Sequence, residues 1–475
     1  MSRPPPVTTK QYAPDLSRLD LRAAIAISNE PKMFTAAVPL LMRPRNANRV
    51  PAPIGLIAAM IGSFIFALAA SELFPSAAGA AMPLSQEVYV WQRVWTPPLR
   101  EAVVDHGGTF SNVVALAAEV SWNHGKPEVV RVPIDYGALT LIGRPVGLAL
   151  RIGPFAGPFA TNDAVAQMLG SLASSIVLEA KTNQVNVSEL QLDFDCAESK
   201  LAGYQLWVEA FRKKLVPTPL TLTTLPSWLK QPAFHDLAAA SDGYVLQVHS
   251  LEKPKGFDAP FTLCDPKVAV AAAVKASSFG VPFRVALPTY GYLIAFATNG
   301  QFVGLSAEGP AKSWPASAKL REVRTDPMVM AMLVQKLEAK PFPNLRGILW
   351  YRLPTIVDNL NWRWPTLGAI VNAQWPRESV RTQLRRVEAG LVEINLVNEG
   401  ELDISSRLAV EIRWQDARLV AGDGLRGFEL VEGDASTARL TTRSQPHRLA
   451  AGEQWTVGWL RFNRDVEVQL ELKQQ

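Results

Sequence analysis

The chain is poor in cysteine, with only Cys196 and Cys264 among 475 residues. They form no CxxC pair and no HExxH occurs, so the usual zinc patterns are missing and no cofactor is expected. Charge is sparse as well. Asp, Glu, Lys and Arg make up 19% against 48% hydrophobic residues, which excludes a disordered chain and describes a core-forming one. A surface of one sign is also lacking. The net charge is +5 with a pI near 9.1, but residues 1–81 hold eight Lys/Arg and four Asp/Glu. The rest of the chain carries 40 basic against 39 acidic residues, so the basic face that nucleic acid requires is absent and no such partner is expected. Internal repeats and low-complexity tracts are missing too.

The N-terminal stretch stands apart. Residues 1–53 form a Pro-rich, basic leader in which Arg43, Arg45 and Arg49 precede an uncharged apolar run, Ile54 to Ala70. Small residues follow, including Ala78-Gly79-Ala80. Basic, apolar, small is the order of a secretory signal, and Met42 would be a normal start for one. About 17 residues is also the short edge of a bilayer span, so an uncleaved anchor remains the other reading of segment 54–81. Both readings export residue 82 onward, to the periplasm or to a membrane anchor facing it. Membrane contact is then confined to the N-terminal segment.

From Gln86, eight strand-like runs alternate with helical patterns: Val88–Val94, Val113–Val120, Val146–Ile152, Leu190–Asp195, Leu220–Leu225, Tyr244–His249, Phe283–Leu287 and Gly347–Arg352. Eight βα units predict a (β/α)8 barrel of the TIM type over residues 82–375. The Gly-containing segment Tyr290–Arg324 reads as an insertion over its mouth. Beyond Trp375 the pattern becomes short alternating strands such as Val392-Ile394-Leu396 and Leu408-Val410-Ile412-Trp414. These predict a C-terminal antiparallel β-sandwich, immunoglobulin-like, over 380–475.

The barrel is organised around Glu189 to Glu198. Leu190, Leu192 and Phe194 share the face that packs on helices; Gln191, Asp193 and Asp195 share the inward face. Two carboxylates at the C-terminal end of a barrel strand mark the expected site, because charge there is costly to bury. The same alternation brings inward Tyr89, Trp91, Arg93, Glu119, Arg151, Gln247, His249, Arg284 and Tyr351, with Tyr290 beside them. Asp195, Asp193 and Glu119 suit acid–base or nucleophilic work on a glycosidic bond. They also suit an internal network in which Arg151 and Arg284 neutralise the aspartates. On the first reading Asp193 stays ionised against Arg151 while Asp195 meets substrate, with Glu119 as the partner acid or base. His249 reads either as a proton carrier or as a hydrogen-bonded structural residue. Trp91, Trp95, Trp122, Trp228 and Trp350 either stack on sugars or fill space in the barrel. Cys196 and Cys264 follow the fourth and sixth strands, and their shared rim predicts a disulfide in an exported protein.

The blocks Tyr89-Val90-Trp91-Gln92-Arg93-Val94-Trp95, Leu192-Asp193-Phe194-Asp195-Cys196-Ala197, Val245-Leu246-Gln247-Val248-His249-Ser250 and Pro282 to Gly291 resemble an uncharacterised bacterial family, the domain of unknown function 3142. The resemblance runs from about Glu87 to Pro354 and implies a glycoside-hydrolase-like barrel with no assigned activity. The family's acid-x-acid-Cys-Ala pattern falls on Asp193, Asp195, Cys196 and Ala197; Phe194 stands where the family often has histidine. More loosely, the same acids resemble the D-x-D-x-E series of chitinase-type barrels. There Glu is the general acid, but here Ala197 fills its slot and Glu198 comes one residue late. Two functions remain, the first an exported enzyme acting on an envelope or extracellular glycan by carboxylate acid–base chemistry. The alternative is a catalytically silent barrel that binds glycan or a partner protein at the cell envelope.

Overall fold

The computed structural model describes residues 84–307, 314–442 and 448–474. The basic–apolar–small segment therefore lies outside the described residues. Among the described residues no helix is long and apolar enough to cross a membrane.

Eight parallel strands close into a barrel: β1 (Ser85–Val90), β2 (Asn112–Asn123), β4 (Val146–Ile152), β5 (Val187–Phe194), β6 (Leu220–Thr224), β7 (Gly243–Gln247), β8 (Phe283–Pro288) and β12 (Leu345–Tyr351). Each pairs with its neighbours, and β1 closes the ring by pairing with both β2 and β12. Around it lie α1 (Pro97–His106), α2 (Tyr136–Leu141), α3 (Ala164–Thr182), α4 (Leu201–Leu215), α5 (Phe234–Ala239), α6 (Pro266–Ser277), α7 (Pro327–Glu338) and α8 (Trp364–Val371). The TIM-type barrel predicted from periodicity is what forms.

Local chemistry explains where helices begin. Asp163, Asp265 and Asp326 cap α3, α6 and α7 by accepting backbone N–H bonds, and Pro266 and Pro327 pre-set the first helical residue of the latter two. Leu190, Leu192 and Phe194 of β5 face outward. Phe194 lies 4.9 Å from the Tyr204 ring and 5.8 Å from that of Trp207, both on α4.

Three features depart from the periodicity. β1 ends at Val90, so Trp91 and Arg93 sit on the following loop. β2 runs four residues past its polar turn-in and returns as an exposed antiparallel hairpin strand, β3 (Lys126–Arg131), which alternation does not mark because every position faces solvent. The insertion after β8 is itself a sheet, with β9 (Gly291–Phe296) between β10 (Phe302–Ser306) and β11 (Lys319–Arg324).

The C-terminal region forms two four-stranded antiparallel sheets. One is ordered β13 (Val380–Glu388), β14 (Leu391–Asn398), β19 (Gln454–Phe462), β16 (Leu419–Gly424). The other is ordered β17 (Phe428–Glu432), β18 (Thr437–Thr442), β15 (Leu408–Trp414), β20 (Val468–Gln474). None of these strands joins the barrel sheet among the described residues. Val392, Ile394, Leu396, Val410, Ile412, Leu440, Val457 and Leu460 form a core separate from that of the barrel.

Candidate functional site

The barrel interior is built in layers. At its N-terminal end Arg284 donates to Glu87 at 2.5 Å and to both Glu189 oxygens at 2.8 and 2.7 Å. Thr221, Gln191 and Asn112 complete the shell of Glu189 at 2.6, 2.8 and 3.3 Å. This corrects the placing of Arg284 at the mouth beside the aspartates. It faces inward as alternation requires, but as the second residue of β8 it lies at the opposite end. Above it, Tyr89, Val114, Ala149, Val245, Ala286 and Leu349 form an apolar plug, and the Tyr89 hydroxyl donates to Gln191 at 2.8 Å.

The mouth layer follows from register. Glu119 of β2 lies beside Arg151 of β4, and Arg151 lies beside Asp193 of β5. Val114 points inward, so unbroken alternation would turn Glu119 outward; the irregularity between Leu116 and Ala118 restores it. Arg151 donates to Asp193 at 2.9 Å and to Asp195 at 3.0 Å, and its Nε lies 4.0 Å from Glu119. Asp195 is past the last assigned residue of β5, yet its N–H still donates to the Ile152 carbonyl at 3.0 Å. That bond keeps its side chain on the inward face. Arg93, from the loop after β1, grips Glu119 through Nε and through Nη2 at 2.9 Å.

These side chains stand in or beside a cavity of about 320 Å3. Trp91, Arg93, Arg151, Asp193, Asp195, Gln247, His249, Tyr290 and Tyr351 line it, as do Trp228 and Thr223. Glu119 and Arg284 are not among the lining residues. The walls that alternation missed come from loops and the inserted sheet: Ser250, Glu252, Lys253, Tyr292, Leu305, Ser306, Ala307 and Arg352. The glycines of segment 290–324 pointed to the part of this wall made by Tyr292, Leu305, Ser306 and Ala307. Trp350 and Trp95 belong to the outer core instead.

The two aspartates differ in exposure, with 28% of the Asp195 side chain accessible against 13% for Asp193. Burial, opposed by Arg151 and reinforced by Asp193, pushes the Asp195 carboxyl up to about 6. Burial also raises Asp193, with Glu119 adding to it and Arg151 opposing it. One guanidinium, that of Arg151, thus faces three carboxyls. Burial drives His249 down to about 3, so it is a neutral hydrogen-bonding group and not a proton carrier near neutral pH. Its Nδ1 pairs with the Tyr290 hydroxyl at 3.2 Å; Tyr290 pairs with Tyr292 at 3.2 Å, and Tyr292 with Ser250 at 2.6 Å.

The predicted Cys196–Cys264 disulfide is not formed; both thiols are free and buried. Burial pushes each up to about 12, so neither is a reactive thiolate in the folded protein. Among the described residues no group of three or more His, Cys, Asp or Glu side chains is arranged to hold a metal ion.

No curated protein matches the chain. Among solved structures it is similar to the spore cortex-lytic enzyme SleL of Bacillus megaterium QM B1551, with 13% identity, 63% of this chain and 75% of that one covered, and a TM-score of 0.45. It is also similar to a chitinase of Chromobacterium violaceum ATCC 12472, at 14% identity, coverage of 61% and 98%, and a TM-score of 0.42. A glycoside hydrolase family 18 N-acetylglucosaminidase of Paenibacillus barengoltzii is similar at 12% identity, 61% and 98% coverage, and a TM-score of 0.42. These likenesses concern architecture alone. Residues 381–463 match the family described as Domain of unknown function (DUF8456). Residues 142–356, within the barrel, match the one described as Domain of unknown function (DUF3142).

Proposed function

We propose that the barrel is a glycoside-hydrolase-like enzyme acting on an envelope or extracellular glycan, with Asp195 as the acid. The observation that carries this reading is a carboxyl at the mouth of an aromatic-lined cavity, raised to about 6 by burial. A group with that pKa keeps its proton up to about pH 6, well above an ordinary carboxyl, and still gives it up to a departing glycosidic oxygen. Asp193, deeper and tied to Arg151, supplies negative charge beneath the sugar, where an oxocarbenium-like transition state is positive. Trp91, Trp228 and Tyr351 offer ring faces and edges to a sugar. Export through the N-terminal segment belongs to the same reading. So does the division into a leader (1–53), an apolar segment (54–81), a barrel (82–375) and a sandwich (380–475); the separate apolar cores of the last two support that part of it.

One observation favours a silent, glycan-binding barrel instead: Glu119, Asp193 and Asp195 all stand on arginines. Incubating the purified protein with a panel of cell-wall and exopolysaccharide glycans separates the two. New reducing ends that vanish in Asp195→Asn support hydrolysis. Binding without turnover supports the silent barrel, and neither binding nor turnover refutes both.

A further inference from the structure

The segment from Arg352 to Arg363, between β12 and α8, ties the cavity to the C-terminal domain. At its cavity end Arg352 lines the wall next to Tyr351. The Arg352 guanidinium donates to Asp358 at 2.9 Å. The other Asp358 oxygen accepts the Thr355 N–H at 2.8 Å, and the Asp358 N–H returns to the Thr355 carbonyl at 3.2 Å. The backbone of Arg352 is clasped by Thr289, whose hydroxyl accepts its N–H and donates to its carbonyl, both at 2.8 Å. Trp362 closes the loop by donating its N–H to the Thr289 carbonyl at 2.9 Å.

The residue after Asp358 is where the second domain takes hold. The Asn359 carbonyl accepts a hydrogen bond from Arg448 Nη2 at 2.8 Å. Arg448 belongs to the sandwich side, where its Nη1 donates to Asp403 at 2.5 Å and Asp403 in turn accepts the Ala451 N–H at 3.0 Å. Arg324, at the end of the inserted sheet, donates to the same Asn359 carbonyl. A planar guanidinium can hold a carboxylate with one nitrogen and a carbonyl with the other in a fixed geometry; an ammonium cannot reproduce that fork.

We propose that Arg448 of the C-terminal domain is a positioning residue for the barrel cavity. It fixes the Asn359 carbonyl, which sets Asp358, and Asp358 sets the Arg352 guanidinium at the cavity wall. The sandwich is thereby a strut for the mouth, bracing from outside a loop that Thr289, Trp362 and Arg324 hold from the barrel side. That the strut serves a bound sugar rests on the glycan reading above; that it holds the loop does not.

Hydrogen exchange on the full chain tests the two parts separately. The substitutions are Arg448→Ala, Arg448→Lys and, as a control, Thr366→Val, which removes a different contact between the domains, the 2.5 Å bond from Thr366 Oγ1 to the Glu401 carbonyl. Both Arg448 variants should speed exchange of the amides of residues 355–361 about tenfold, while Thr366→Val leaves them at the wild-type rate. Unchanged exchange in the Arg448 variants overturns the proposal, as does equal acceleration in Thr366→Val, which would make the effect one of general domain docking. Should Arg448→Ala also accelerate the buried amides of β14, Arg448→Lys, which keeps a cation beside Asp403, becomes the deciding variant. On any glycan the protein cleaves, Arg448→Ala should raise KM several-fold with kcat within twofold. A failed glycan screen leaves the exchange result standing by itself.

Discussion

Asp195→Asn should separate the two costs that this carboxyl imposes. In the folded protein the group is raised from 3.8 to about 6, chiefly by burial. A raised acid binds its proton more tightly in the folded state than in the unfolded one. Ionising it therefore costs folding free energy, and stability falls as pH climbs from about 4 to about 6. At about 1.4 kcal/mol per pH unit the full cost above pH 6 is about 3 kcal/mol. Asparagine has the same shape and no charge to desolvate, and Arg151 keeps Asp193 as its partner. The variant should thus be more stable than wild type by up to about 3 kcal/mol at pH 8, with the difference shrinking to near zero by pH 4. Urea unfolding of the barrel, followed by tryptophan fluorescence at both pH values, reads this directly. The same substitution should lower turnover of a cleaved glycan about 100-fold or more, and wild-type turnover should decline above about pH 6. A variant less stable than wild type at pH 8, or a difference independent of pH, would refute the burial of this carboxyl as described.

Glu189→Gln should behave in the opposite way. Glu189 is held below its ordinary range because Arg284, Thr221 and Gln191 outweigh its burial, and replacing it leaves the buried Arg284 guanidinium with Glu87 as its one remaining carboxylate partner. The expected loss is about 3–5 kcal/mol at pH 7 in chemical denaturation, narrowing in acid as the wild-type carboxyl itself protonates. Gly347→Ala should open the seam between β12 and β1, since a methyl group there would stand 2.1 Å from Ser85 Oγ and 2.6 Å from the Ser85 carbonyl; a loss of about 3 kcal/mol is expected, and wild-type stability would refute the contact. Titration with a thiol reagent should find no reactive cysteine in the native protein and two after denaturation, with no effect of reductant on the unfolding midpoint.

The sequence by itself determined the eight strands, the helices between them and the change to a sandwich near residue 380. Each of these rests on a local period, of two or of 3.6, that any folded context must respect. It also determined that Asp193, Asp195, Arg151, Gln247 and Arg284 face the barrel interior. Tertiary structure alone decided their depth. Arg284 and Arg151 both point inward, yet one braces Glu87 and Glu189 at the base and the other gathers three carboxyls at the mouth. That choice depends on the stagger between strands distant in sequence. The irregularity in β2 that turns Glu119 toward Arg151 is equally invisible to alternation, since it adds a residue without changing composition. Loop walls such as Ser250, Tyr292 and Leu305 carry no period to read. Cys196 and Cys264 likewise follow two strands whose order is legible, but that both thiols are free and buried depends on the packed core.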